Sequence, residues 1–210
     1  MFIKYLSSFI VVSLLACGAE ENVEEPAQQQ SIEDTVAHEC VAEGTGNLPG
    51  DKIADAVLVN CLGERVSIHS SCGKGKLTVV ALGALWCGAC EGYFKSLTYD
   101  HAISEPGSWD YYIIEGQALD RTTNITPEAC VEYAEKINAD PARVLIDPNW
   151  RTSINSGLID VCSSNGSISL PFMSILDSWD FTYEYSRSCG GSSDDRSNWR
   201  ESFIGELREE

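Results

Sequence analysis

Basic side chains are scarce in this 210-residue chain: 14 Lys and Arg stand against 32 Asp and Glu, giving a net charge of −18. Between Lys4 and Lys52 there is no Lys or Arg at all. A broad nucleic-acid surface is therefore excluded, because phosphates are held mainly by Lys and Arg, and so is a polybasic membrane patch. Histidine is also sparse, with only His38, His69 and His101. The apolar run from Tyr5 to Ala16 is too short to span a bilayer comfortably. What is present is 43% hydrophobic residues with five Trp, enough for a real core, and nine Cys, more than a reduced cytosolic protein usually carries. The expectation is one folded domain in an oxidising compartment.

The amino terminus agrees with that compartment. Lys4 is the only charge before Glu20, and the apolar run that follows it has the form of a signal-peptide core. It ends Leu14-Leu15-Ala16-Cys17-Gly18, which resembles the bacterial lipobox, where cleavage precedes a cysteine whose sulfur then carries diacylglycerol. Ordinary secretion, with cleavage near Ala16 or Ala19, is the alternative. Nine cysteines are an odd number, and assigning Cys17 to a lipid leaves eight that can pair. From Gly18 to about Glu39 come seven acidic residues, no basic ones and the run Gln28-Gln29-Gln30. Such a segment is a solvated tether, reaching roughly 25 Å as a random coil. The expected organisation is a lipoprotein signal peptide over 1–16, the lipidated Cys17 with an acidic tether over 17–39, and a folded domain over 40–210.

Within the domain, Ala56–Cys61 and Arg65–Ser70 are β-rich runs around Leu62-Gly63-Glu64, the spacing of a hairpin. Leu77–Leu82 is a continuous apolar run, as in a strand buried on both faces. It leads into Trp86-Cys87-Gly88-Ala89-Cys90 and then a helix to about Ile103. Tyr111–Glu115 reads as a strand, and Thr126-Pro127-Glu128 as an N-cap with proline in the first turn of a helix reaching about Asn138. Arg143–Asp147 is another strand, 149–155 a short helix, and Ser156–Leu170 a polar loop. Phe172–Asp177 and Phe181–Ser186 are two further strands. From about Asp194, Trp199, Phe203, Ile204 and Leu207 mark the apolar face of a last helix. This order predicts an α/β fold with a mixed central sheet, helices on both of its faces and an amino-terminal β-hairpin.

Cys87 and Cys90 carry the chemistry. A CxxC between a buried strand and a helix places its first sulfur at the helix N-terminus, where unpaired N–H groups and the helix dipole favour a thiolate. Cys90, one turn in, can displace a substrate from a mixed disulfide on Cys87. The segment Trp86–Cys90 after a hydrophobic strand resembles the active site of the thioredoxin superfamily. The hairpin and the phrase Gly50-Asp51-Lys52-Ile53-Ala54-Asp55-Ala56-Val57-Leu58 resemble its TlpA-like, redoxin branch, and the similarity extends over about Leu48–Leu207. The resemblance implies a thioredoxin-like fold and thiol–disulfide exchange with envelope proteins bearing thiols or disulfides. It also implies a further redox partner, and no metal or organic cofactor. Cys87 would attack, Cys90 would resolve, and Trp86, Gly88, Ala89, Leu170 and Pro171 would form the docking edge, with Pro171 as the family's cis-proline. The chain departs from the family at two places where an acid is expected: Ala81, six residues before Cys87, and Tyr93, three after Cys90.

Other readings of the pair are weaker. Zinc lacks a second close Cys or His pair, and a c-type haem site would need His where Glu91 stands. A peroxiredoxin would need Pro at Val80 and Thr at Ala84. A redox-idle disulfide in a binding lipoprotein is the principal alternative to an enzyme. Among the remaining cysteines, the hairpin suggests a Cys61–Cys72 bridge, with Cys130–Cys162 and Cys40–Cys189 as further pairings. Gly18 after Cys17 suggests anchoring in the outer membrane, facing the periplasm.

Overall fold

The computed structural model describes residues 40–48, 50–74, 77–159 and 169–186. The expected signal peptide, Cys17, the tether, Cys162, Cys189 and the helix from about Asp194 lie outside them.

Seven strands form one sheet: β1 (Val57–Asn60), β2 (Arg65–Ser67), β3 (Leu77–Gly83), β4 (Trp109–Glu115), β5 (Val144–Ile146), β6 (Phe172–Asp177) and β7 (Tyr183–Ser186). Their order is β2-β1-β5-β4-β3-β6-β7. The middle trio is parallel, β3 to β4 and β4 to β5, while β1, β6 and β7 join antiparallel. Parallel neighbours need long crossovers. Here the crossovers carry α1 (Gly88–Ile103) and α2 (Pro127–Lys136). A short helix α3 (Arg151–Asn155) follows β5.

Sequence and structure agree closely at the centre. From Val79 to Gly83 every residue of β3 is buried, as its unbroken apolar run requires. Thr126 caps α2 by accepting from the Ala129 N–H, and Pro127 stands in the first turn, where its missing N–H is not needed. The helices α1 and α2 lie against each other: the Thr98 hydroxyl donates to the Ile137 carbonyl at 2.8 Å, and Lys136 pairs with Glu91 at 2.7 Å.

The hairpin forms, but it does not carry the expected bridge. Val57 faces Ser67 and Val59 faces Arg65. Cys61 is thus at the turn end, whereas Cys72 lies beyond the open end, past a single 3-10 turn over Ile68–Ser71. In that register Cys72 would stand opposite Lys52, nine residues and roughly 30 Å of strand from Cys61. The structure instead joins Cys61 to Cys130 of α2, with Cα atoms 5.2 Å apart, and Cys72 to Cys40, 6.4 Å apart. The expected partners Cys162 for Cys130 and Cys189 for Cys40 are corrected with it. The position of β1 between β2 and β5 explains the outcome, since it brings the end of the hairpin next to the helix that crosses over to β5. Both sulfurs of the Cys61–Cys130 bridge are buried.

Peptide mapping without reduction should recover Cys61 joined to Cys130 and Cys40 joined to Cys72. Replacing both Cys61 and Cys130 by Ala should cost about 4 kcal/mol, because the bridge closes a 69-residue separation. A denaturant titration of the double variant checks the value.

Candidate functional site

The strand β3 ends at Gly83, and Ala84-Leu85-Trp86 carries the chain to Cys87, the N-cap of α1. Cys87 has extended backbone angles, and its Sγ accepts the Cys90 N–H at 3.2 Å. Cys87 and Cys90 are joined, with Cα atoms 5.2 Å apart. Cys90 is wholly buried, whereas Cys87 keeps 7% of its surface and lines an open cleft. Gly88 and Ala89, between them, are exposed.

That cleft, of about 450 Å³, is lined by Trp86, Cys87, Gln117, Asn149, Trp150, Ile154 and Leu170. The Leu170–Pro171 peptide bond is cis, so the residue expected to be the cis-proline is one, and Leu170 forms the cleft wall with Cys87. Trp86 is fixed from two directions. Its indole N–H donates to Gln117 Oε1 at 3.0 Å, and the Arg121 guanidinium lies 4.0 Å over its ring. Trp150 forms a second aromatic wall, with its indole N–H donating to the Gly83 carbonyl at 3.1 Å. Its ring lies 2.1 Å from where a β-carbon on Gly116 would stand, so only glycine fits there. Gln117, Arg121, Asn149 and Trp150 come from loops following β4 and β5, and nothing in their own segments marked them.

Charge at the site is managed locally. Glu91, in the first turn of α1, is held by Lys136 at 2.7 Å and Lys95 at 2.8 Å. Those hydrogen bonds keep its carboxyl below the usual range. Tyr93, at one of the places where an acid was expected, donates its hydroxyl to Met173 Sδ. Ala81, the other, is buried within β3.

One acid is nevertheless buried at the carboxyl ends of β3 and β4, near the Phe94 ring of α1. Glu115 ends β4 directly across from Gly83 and is 0% exposed. Neither of its carboxylate oxygens has a hydrogen-bond partner among the described residues. Burial alone raises its pKa to about 8. In the sequence Tyr111–Glu115 reads as a strand whose last residue is simply its polar end. An acid closing an apolar run destined for the sheet centre was the available signal.

No protein-family model and no curated protein matches the sequence. Solved structures do match in fold. A thiol:disulfide interchange protein of the thioredoxin family from Chlorobium tepidum TLS superposes with a TM-score of 0.54 at 15% identity, over 78% of this chain and 99% of that one. A thiol:disulfide interchange protein from Bacteroides sp. gives 0.54 at 15% identity, over 75% and 91%. A peroxiredoxin-like protein from Aquifex aeolicus gives 0.53 at 18% identity, over 78% and 90%. The fold is thioredoxin-like, as the CxxC segment and its strand had suggested.

The buried acid makes stability depend on pH in a definite direction. With its folded pKa at about 8, above the ordinary 4.5, Glu115 stays protonated in the folded state while the unfolded chain has ionised. Stability is therefore full below about pH 4.5 and falls as pH rises towards 8, by up to about 1.4 kcal/mol per pH unit. Glu115→Gln, which mimics the protonated side chain, should match the wild-type oxidised protein in thermal unfolding at pH 4.5 and exceed it increasingly towards pH 8. Parallel curves would contradict the assignment.

Proposed function

We propose that this protein is a thiol–disulfide oxidoreductase of the TlpA-like kind, exchanging disulfides with protein substrates in the bacterial cell envelope through Cys87 and Cys90. The observation that carries the proposal is the asymmetry of the pair. Cys87 caps a 16-residue helix and borders the cleft, and Cys90 is sealed beneath it. A thiolate on Cys87 would receive the Cys90 N–H and the favourable end of the helix dipole. Its proton would be lost near neutral pH, and its sulfur would attack a substrate disulfide lying between Trp86, Leu170 and Trp150. Cys90 would then attack Cys87, closing the pair and releasing the substrate as a thiol. Run backwards, the same steps oxidise a substrate dithiol. The redox poise of the partner sets the direction.

A peroxidase reading has the peroxiredoxin-like structural neighbour in its favour. The residues of this chain oppose it, since Val80 and Ala84 occupy the places of the family's Pro and Thr.

Anchoring completes the proposal. Cys17, following Leu14-Leu15-Ala16, would carry the lipid, with residues 17–39 as the tether and the outer membrane as the site of attachment. Two or more acyl chains hold a protein stably where one does not.

Cys90→Ala should accumulate mixed disulfides on Cys87 in the host envelope, while Cys87→Ala should accumulate none. Mass spectrometry of alkylated, unreduced extracts checks this, and absence of adducts in both variants would favour the redox-idle reading. Separately, Cys17→Ser should release the protein from the membrane fraction, and unchanged partitioning would reject lipidation.

A further inference from the structure

Cys90 must lose its proton before its sulfur can attack a mixed disulfide on Cys87, and Cys90 is 0% exposed. Bulk water cannot take that proton directly, so an internal acceptor is required. Neither Ala81 nor Tyr93 supplies a carboxylate.

The layer between α1 and the sheet contains one. Phe94 follows Cys90 by one helical turn and shares its face of α1. A β-carbon on Gly83 would meet the Phe94 ring at 2.5 Å and Glu115 Oε1 at 3.0 Å. Glycine at 83 therefore leaves the room that the carboxylate and the ring occupy, under the first two turns of α1. An unpaired buried carboxyl lowers stability and contributes no hydrogen bond to the fold, so packing alone does not account for it.

We propose that Glu115 is the proton acceptor for Cys90 in the closing step of disulfide exchange. This rests on the exchange reading above. The step proceeds from the ionised form of Glu115, whose population grows as pH approaches its pKa of about 8. The Cys90 S–H bond breaks and its proton passes to the Glu115 carboxylate. The Cys90 sulfur forms the bond to Cys87 Sγ, and the bond from Cys87 to the substrate sulfur breaks, releasing the substrate thiolate. In this step the Cys90 sulfur is oxidised and the departing substrate sulfur is reduced; over attack and closure together the two protein thiols become a disulfide and the substrate disulfide becomes two thiols. In reverse, protonated Glu115 returns the proton to Cys90 as it leaves. Burial brings the Glu115 pKa close to that of a thiol, about 8.5, the match that makes proton transfer efficient in both directions.

The surroundings of Glu115 suit this role. From α2, the Tyr133 hydroxyl faces the same region, has no hydrogen-bond partner among the described residues, and is made a weaker acid first by burial and then by the Glu115 and Glu91 charges. From α1, Glu91 is occupied by Lys95 and Lys136. Beyond β5, the Asp147 carboxylate is taken up by Thr152 and Ser153. Among these groups Glu115 is the carboxylate left to exchange a proton with Cys90.

The test uses the reduced protein and the aromatic disulfide dithiobis(nitrobenzoate), whose released thiolate is coloured. The first thiolate reports attack by Cys87, and the second reports closure by Cys90, measured by stopped flow with reagent raised until the second rate no longer increases. Glu115→Gln should leave the first rate within about twofold and slow the second about 100-fold. Glu115→Asp should recover part of the loss. Closure at the wild-type rate in Glu115→Gln, or both rates falling equally, would overturn the assignment. A wild-type protein that releases no second thiolate would overturn the exchange reading, and this inference with it.

Discussion

The parallel pairing of β3 with β4 is the constraint on which the site depends. Seven consecutive pairs, from Leu77 with Trp109 to Gly83 with Glu115, bring both strands to their carboxyl ends at one level. The chain leaving β3 must then turn into α1, which makes Cys87 an N-cap, and the chain leaving β4 must pass beside it, which brings Gln117 to Trp86. The same register sets Glu115 against the one β3 residue with no side chain. A slip of one residue would turn Glu115 to the other face of the sheet. The CxxC, the fixed tryptophan and the buried acid are thus consequences of one register.

The electrostatics of the site differ from those of the chain as a whole. A net charge of −18 would by itself disfavour a thiolate. Near Cys87, however, Arg121 lies over Trp86, and Lys95 and Lys136 occupy Glu91. Charges further off are screened beyond about 8 Å at physiological salt, so the helix terminus dominates. The cleft itself is walled by Trp86, Trp150, Ile154 and Leu170, with Gln117 and Asn149 as its polar lining.

Much of this was legible in the sequence because its signals are local. The apolar run of β3, the Thr126-Pro127 helix start, the CxxC at a strand-to-helix junction and the proline before β6 each depend on a few adjacent residues, and each stands where expected. The disulfide pairing was not legible, because it depends on which strand flanks β1. That neighbour is β5, some 85 residues away in sequence, and it brings Cys61 to Cys130. The second tryptophan of the cleft was hidden for a related reason. Trp150 reaches the site only because Asn149 and Trp150 adopt left-handed backbone angles, φ 55° and 53°, without a glycine to announce the turn. Glu115 looked like the polar end of a strand, and only the register across from Gly83 reveals that it is enclosed.

The most direct test of the account is a redox titration of the protein in glutathione buffers, followed by alkylation and mass spectrometry of each cysteine. Cys87 and Cys90 should convert together between dithiol and disulfide in a single two-electron step, while Cys61–Cys130, sealed in the core, stays closed throughout. A Cys87–Cys90 bond that opens only after Cys61–Cys130, or only when the fold is lost, would contradict the central claim that this pair is the reversible redox centre.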